Sequence, residues 1–336
     1  MRRLILLLLC LLVAASCDLN TVGIELSPGW SSKSLAAWRN AKPQMLTTSK
    51  EGKWLYISYE TTASITAPSL ASININTGRQ LILLRGLHNA HTLKQAPDKS
   101  LWIGEQFKKG IIWRISEPDK LPDDQRIDRA ELSISHPAIV PMQAAGVFEH
   151  SGFDFSTNGR FAYLTSAGSQ GHIYRYALIS RQLQVLHKEL GWLAIANPES
   201  AEAEAVHLDA QSFMPLQSVA ALPDGRILIV EPDRHRILQL DDDGDKARLS
   251  TYLDDEKLTQ ATDLAWDAQR QWLWITDGDK PSRLWAYNGN RLIPIASHKK
   301  ARFTGIALHQ EKVFLNLRDN DPGPEIILQL TEKPFQ

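Results

Sequence analysis

The sequence predicts an all-β chain that closes into a ring of six similar sheets, a six-bladed β-propeller. Two observations support this prediction. One pattern of short strands and turns recurs six times along the chain, and the chain beyond its first residues shows little sign of long helices. Repeats of roughly 40–50 residues with several short strands are typical of propeller blades, because each four-stranded sheet can bury both faces only against its neighbours.

Each repeat has an alternating stretch, a turn, a strongly apolar strand that ends in a polar residue, a polar loop and a third alternating strand. The second copy is the clearest, with the turn at Pro97-Asp98, the apolar strand from Leu101 to Glu105 and the third strand from Ile111 to Ile115. The equivalent polar residues are 47, 60, 66, 45 and 40 positions apart, and they are Ser58, Glu105, Thr165, Glu231, Thr276 and Asn316.

The ends of the repeated region predict how the ring closes. The sixth copy stops at Leu330, after its third strand, so its fourth strand must come from elsewhere. We expect residues 23–38 to supply that strand and to join the first and last blades. The propeller is therefore predicted over residues 31–334. Charged or polar inserts at 117–129 and 198–209 are expected to form loops outside the blades.

The first residues are typical of an export signal. Arg2 and Arg3 precede an apolar run from Leu4 to Ala15, whose twelve residues are too short to cross a hydrocarbon layer of ~30 Å as a helix. The run ends in Ala14-Ala15-Ser16-Cys17, which resembles the lipobox of bacterial lipoproteins. The alternative is an ordinary secretory signal that happens to contain a cysteine.

The lipobox resemblance implies that residues 1–16 are a signal peptide and that Cys17 carries diacylglycerol and acyl chains such as palmitate. Residues 17–30 would then tether the propeller to a membrane. The expected location is the cell envelope, on the periplasmic side of the inner or the outer membrane. Removal of Arg2 and Arg3 leaves 35 basic against 38 acidic side chains, a formal charge of −3.

Composition limits the kinds of partner and site. The whole chain has 37 Lys and Arg against 38 Asp and Glu, which argues against a nucleic-acid partner, because such proteins concentrate cations on one face. Both cysteines lie within the first seventeen residues, so we expect neither a disulfide framework nor a cysteine-based metal site in the folded part.

Two turn-and-strand units resemble a known group of propellers. The segments from Pro97-Asp98 to Ile115 and from Pro223-Asp224-Gly225 to Leu240 look like the gluconolactonase, strictosidine-synthase and NHL type. Segment 146–176 is similar to a stretch of PhoX-type calcium-dependent alkaline phosphatases, and segment 219–231 resembles the esterase-like phytase propellers. These resemblances imply a six-bladed propeller, and the last two imply hydrolysis that depends on a divalent metal.

Two carboxylates are candidate metal ligands. The first two strands of a blade are antiparallel, so the start of the first lies beside the end of the second, which brings His91 near Glu105 and Gln217 near Glu231. Glu105 and Glu231 occupy equivalent points in blades two and four, and oxygen ligands suit Ca²⁺ or another divalent cation. Alternatively, each glutamate accepts hydrogen bonds from nearby backbone N–H groups or pairs with an Arg or Lys.

Several other polar residues are expected on the same face. His91 and His150 are candidate catalytic residues, because an imidazole beside a carboxylate can act as a general base. His88, Gln217 and Asp263 are candidate ligand-binding residues. The alternative for the histidines is a set of polar loop residues on a solvated surface.

Two classes of function are compatible with these residues. The first is a propeller that binds a small molecule, a glycan or an envelope protein at the mouth of its central channel. The second is a divalent-metal-dependent hydrolase of a phosphoester, ester or lactone. The first is favoured, because PhoX-type enzymes use a cysteine thiolate and the mature chain has only Cys17.

Overall fold

The computed structural model describes residues 23–38, 42–60, 68–105, 111–128, 133–134, 139–142, 150–168, 170–195, 210–318 and 325–333. Its strands form six sheets arranged as a six-bladed β-propeller, which confirms the predicted fold class. Within the described residues the helical segments are two short 3₁₀ turns, Pro118–Lys120 and Pro232–Arg234. No helix in this part of the chain has the length and apolar character that a membrane span needs.

We number the blades along the chain and name the strands of each blade inner, second, third and outer, starting from the central channel. Inner strands of successive blades contact one another, and that of blade 6 contacts that of blade 1, which completes the ring. The strands of blade 1 are Lys42–Thr48, Trp54–Glu60, Pro68–Asn74 and Gln80–Arg85. Those of blade 2 are Ala90–Gln95, Leu101–Glu105, Ile111–Ile115 and Ile139–Met142. Those of blade 3 are His150–Phe155, Phe161–Ser166, Ile173–Ala177 and Leu183–Leu186, with a fifth strand, Trp192–Ile195.

The second half of the ring is built in the same way. The strands of blade 4 are Val219–Ala221, Ile227–Glu231, Arg236–Asp242 and Ala247–Asp254. Those of blade 5 are Ala261–Asp267, Trp272–Asp277, Ser282–Tyr287 and Leu292–His298, with Ile24–Leu26 added at the edge. Those of blade 6 are Arg302–His309, Lys312–Arg318, Glu325–Glu332 and Trp30–Trp38.

The side chains of the apolar second strands fill the spaces between blades. Every residue of Leu101–Glu105 and of Ile227–Glu231 is buried. Such continuous burial is expected where both faces of a sheet are covered. Trp102, on blade 2, contacts Phe155 of blade 3 edge to face, with 4.9 Å between the ring centroids. The core is therefore a series of layers between neighbouring blades rather than one central cluster.

The N-terminal segment closes the ring as predicted. Trp30–Trp38 pairs antiparallel with Glu325–Glu332, with Trp30 opposite Glu332. Ile24–Leu26 pairs with the outer strand of blade 5, with Ile24 opposite His298. Residues 24–30, which were assigned to the tether, therefore contribute to two sheets, and the folded part begins before residue 31.

The insert at 117–129 differs from the expected loop. Gln125–Asp128 pairs in parallel with the outer strand of blade 1, and Ser133–Ile134 extends that sheet further. Asp119 accepts a hydrogen bond from the Tyr56 hydroxyl, and an ion pair joins Arg85 to Asp124. An unpaired outer strand offers a row of free N–H and C=O groups, which explains why a polar insert can pair there. The second insert, 198–209, lies outside the described residues.

Loss of the closing strand should destabilise the whole ring. A chain that begins at residue 39 lacks Trp30–Trp38 and exposes the edge of Glu325–Glu332. We expect its midpoint of thermal unfolding to fall by about 10 °C or more, because blade 6 loses its outer strand and gains an open edge. A synthetic peptide of residues 23–38 should restore the midpoint. The control begins at residue 18 and keeps both N-terminal strands. Equal midpoints for the two chains would contradict closure by this segment.

Candidate functional site

The inner strands begin irregularly on the face where the second strands end, which we call the upper face. In five of the six blades, the pairing of inner and second strands shifts register near the first inner residues. Such bulges redirect a side chain from the regular alternation of a strand. The residues at these points, and at the equivalent point of blade 4, are all polar and half-buried: Gln44, His91, Ser151, Gln217, Thr262 and Thr304. We call these six residues the mouth ring.

The three short members of the mouth ring link neighbouring blades. Each hydroxyl donates a hydrogen bond to the carbonyl of the residue that precedes the next member of the ring. These bonds are Ser151 to Leu216 at 2.6 Å, Thr262 to Phe303 at 3.2 Å and Thr304 to Pro43 at 3.5 Å. The short members therefore fix the spacing of the blades at the channel mouth.

Two of the three long members, Gln44 and Gln217, keep polar groups for other partners within the described residues. Gln44 donates a hydrogen bond from Nε2 to Oε2 of Glu60 at 2.8 Å. The side-chain carbonyl oxygen of Gln44 remains available as an acceptor. The Nδ1 atom of His91 lies 3.3 Å from the carbonyl of Asn89. The Gln217 side chain makes no hydrogen bond within the described residues. Gln217, a predicted ligand-binding residue, is thus half-buried at the mouth with a free amide.

One ion pair lies beside Gln44 at the mouth. Glu60, at the end of the second strand of blade 1, forms an ion pair with Arg318 at the end of the second strand of blade 6. Both side chains keep some solvent exposure, 29% for Glu60 and 20% for Arg318. The groups that the described part of the mouth offers are therefore mainly amides, hydroxyls and an imidazole.

The two candidate metal ligands are held by protein donors. Glu105 is buried and accepts a hydrogen bond from the indole of Trp113 at 2.6 Å and another from the backbone N–H of His88. Glu231 is also buried, and it accepts from Arg236 at 2.6 Å and from the backbone N–H of Met214 at 3.1 Å.

The orientation of the sheets explains this arrangement. Each blade stands edge-on to the channel, so side chains of a second strand point into the spaces beside the blade rather than towards the axis. Calcium needs six to eight oxygen ligands, but both oxygens of each glutamate already accept bonds from the protein. No three His, Cys, Asp or Glu side chains of the described residues gather into a metal-binding group. The contacts of Glu105 and Glu231 match the alternative of a structural role, and a shared divalent cation stays a prediction.

A lysine of the inner strand of blade 2 lies close to a carboxylate of blade 3. Lys94 is on the inner strand of blade 2, and its Nζ is 4.0 Å from Oδ2 of Asp154 on blade 3. Burial raises the pKa of Asp263 on blade 5, and the positive charge of Lys94 opposes that rise.

Asp263 differs from its predicted role as a ligand-binding residue. It is fully buried, and Oδ1 accepts from the Ser218 hydroxyl at 2.6 Å and from the backbone N–H of Leu264 at 2.9 Å. Its Oδ2 accepts from the backbone N–H of Ile306 at 3.0 Å. Asp263 thus links blades 4, 5 and 6 and has no free oxygen to offer a ligand.

The remaining predicted residues have separate positions. His88 is an exposed residue just before the inner strand of blade 2, and His91 belongs to the mouth ring. The backbone of His150 pairs with Ser166 at the start of blade 3, but its side chain lies outside the described part. Cys17 also lies outside it. The expected approach of His91 and His150 therefore stays a prediction.

Sequence reasoning missed one apolar residue on the upper face. Met214 is 40% exposed, three positions before Gln217, and its backbone N–H is fixed by Glu231. The sequence signal that could have found it is an apolar residue in the polar connection between blades 3 and 4, outside any strand that would bury it. It adds exposed apolar surface to the connection that leads to Gln217.

No protein-family profile and no curated protein matches the chain. Solved structures show the same fold at low identity. A gluconolactonase from Xanthomonas campestris is 11% identical, with a TM-score of 0.61 and coverage of 94% of this chain and 95% of that one. A luciferin-regenerating enzyme is 8% identical, with a TM-score of 0.62 and coverage of 90% and 95%. An auxiliary nutrient binding protein from Bacteroides thetaiotaomicron is 12% identical, with a TM-score of 0.54 and coverage of 87% and 69%.

The burial of Asp263 predicts a pH dependence of stability. Burial raises the pKa of Asp263 above its ordinary value of 3.8, so the folded state holds this proton more tightly than the unfolded state. That contribution favours folding at low pH. It is lost as the pH rises from the pKa of Asp263 in the unfolded state through its pKa in the folded state. We expect the unfolding free energy of the wild type to fall, relative to Asp263→Asn, as the pH rises above about 4.

Urea unfolding at a series of pH values measures this difference. Lys94→Met should make the fall steeper, because it removes the charge that opposes the rise of the Asp263 pKa. Asp224→Asn is the control of opposite sign, since a hydrogen bond from Arg226 lowers the pKa of that exposed carboxyl. A difference between wild type and Asp263→Asn that stays constant with pH would contradict the account.

Proposed function

We propose that this protein is a lipid-anchored propeller of the bacterial envelope that binds a polar, largely uncharged small molecule or glycan at the mouth of its channel. The observation that carries the proposal is the mouth ring, in which the amides of Gln44 and Gln217 remain available while the buried carboxylates serve the fold. The free amide of Gln217 is its clearest element.

The chemistry of the ring suits hydroxyl-rich ligands. A glutamine amide donates through its nitrogen and accepts through its oxygen. Gln44 and Gln217 supply such amide groups from blades 1 and 4. Met214, three positions before Gln217, offers an exposed apolar surface, and small-molecule sites commonly combine apolar contact with a few placed polar groups.

Similar folds support a binding role without requiring catalysis. One similar structure is an auxiliary nutrient binding protein, and another is a gluconolactonase. Fold alone does not decide between these activities. The contacts of Glu105 and Glu231 favour binding, because the carboxylates first considered for a metal are already held by the protein.

A divalent-metal-dependent hydrolase of a phosphoester, ester or lactone is the second candidate. The similarity to a gluconolactonase is the observation that favours it. Such an enzyme would need a ligand set other than Glu105 and Glu231. Its catalytic base would be His91 or His150, as the sequence predicts.

A panel of neutral sugars, oligosaccharides and aldonolactones tests the proposal by calorimetric titration, with and without calcium. We expect at least one neutral member to bind without calcium. Gln217→Ala should weaken that binding about five- to tenfold, because it removes an amide that hydrogen-bonds the ligand. Gln182→Ala is the matched control, since this glutamine is exposed in a turn of blade 3 away from the ring.

Two results would overturn the binding proposal. The first is a panel in which no neutral sugar or lactone binds in the millimolar range that weak carbohydrate sites reach, roughly 1 mM. The second is turnover of an ester or lactone that requires a divalent cation and is unaffected by Gln217→Ala. The latter result would favour the hydrolase.

A further inference from the structure

The N-terminal segment leaves the fold on the upper face. Ile24 pairs with His298, the last residue of the outer strand of blade 5. Only residues 299–301 separate His298 from Arg302, which begins the inner strand of blade 6. Since inner strands begin on the upper face, the chain before Ile24 departs from the rim of the same face that carries the mouth ring.

A basic groove lies beside this point of departure. It has a volume of about 530 Å³ and is lined by Glu25, Lys280, Pro281, Arg283, Ser297 and Lys299, which we call the rim groove. Three of its side chains are cations and one is an anion. Lys299 pairs with Glu25 at 3.0 Å, whereas Lys280 and Arg283 form no ion pair within the described residues.

The surroundings of the rim groove add to its positive charge. Lys300 and Arg302 are exposed next to Lys299 in the connection to blade 6. The nearest acid along the chain is Asp279, whose carboxylate accepts the backbone N–H of Lys280. This local excess of cations contrasts with the mature chain, whose formal charge is −3 (35 basic against 38 acidic residues).

We propose that the rim groove binds the head groups of anionic phospholipids. Phosphate oxygens suit lysine and arginine, and Ser297 adds a hydroxyl donor within the groove. Each lysine or arginine near an anionic bilayer strengthens binding by about fivefold. The groove would therefore supply a membrane contact beside the lipid anchor.

The proposal deepens the proposed function, since it assigns an orientation to the anchored propeller. From Cys17 to Ile24 the chain spans seven residues, which reach at most about 25 Å when fully extended. A lipid on Cys17 therefore keeps the rim groove within that distance of the bilayer. With the groove on lipid head groups, the mouth ring faces the membrane side, and its ligand would be encountered at the membrane surface.

Vesicle co-sedimentation tests the groove independently of lipidation. The chain from residue 18 onward contains every strand that the structure describes and lacks the acylated cysteine. We expect it to sediment with vesicles of phosphatidylcholine that contain about 30% phosphatidylglycerol, and not with phosphatidylcholine alone. Raised salt should release it, because screening weakens contacts between exposed charges.

Paired substitutions locate the contact. The double variant Lys280→Gln with Lys299→Gln should lower the vesicle partition coefficient about 25-fold, at about fivefold for each lysine. The matched control is Lys53→Gln with Lys99→Gln, which removes the same charge from exposed turns on the opposite face. The control should bind vesicles as the unsubstituted chain does.

Three outcomes would overturn the proposal. The first is equal sedimentation with both kinds of vesicle, and the second is an equal loss of vesicle binding in the two double variants. The third is complete displacement from vesicles by about 20 mM inorganic phosphate at constant ionic strength. That third outcome would assign the groove to free phosphate. Failure of the lipid anchor is a separate result. It would appear as a full-length protein whose N-terminus carries no acyl mass, whatever the vesicle binding shows.

Discussion

Each blade of this protein depends on its neighbours, because a sheet that stands edge-on to the channel can exclude water from both faces only when another sheet covers each of them. This constraint explains the fully buried second strands, the pairing of Trp30–Trp38 with Glu325–Glu332, and the aromatic contacts between blades. It also explains the polar residues at the strand ends. There the blades are joined by hydrogen bonds, as when Asp263 accepts from groups of blades 4, 5 and 6.

The same constraint separates structural polar groups from available ones. Short hydroxyl side chains of the mouth ring reach only the next blade and are used to hold it. Longer side chains at equivalent positions extend beyond those contacts, and Gln217 keeps a free amide. Carboxylates one strand further out, Glu105 and Glu231, lie between blades and are held by Trp113 and Arg236. The polar groups left available in the described part of the mouth are therefore neutral amides rather than acids.

Sequence pattern predicted the fold and its closure because the repeat period and the missing final strand are both visible along the chain. It did not predict the direction of individual side chains. Asp263 lies just after a bulge. A register shift of one residue moves a side chain to the other face of a strand, so the alternation of polar and apolar residues could not predict that Asp263 is buried. Glu105 ends a run of five buried residues, which carries no cue to its partners. Lys94 was missed because its partner, Asp154, belongs to blade 3.

Thermal unfolding of Glu231→Gln and Glu105→Gln, with and without calcium, tests most directly the claim that these carboxylates serve the fold. The account predicts that each substitution lowers the unfolding free energy by about 1–3 kcal/mol, since a buried hydrogen-bonded carboxylate is replaced by an amide that cannot satisfy both donors. It also predicts that calcium leaves the wild-type midpoint unchanged. A calcium-dependent rise in the wild-type midpoint that both substitutions abolish, with no loss of stability in calcium-free buffer, would contradict it.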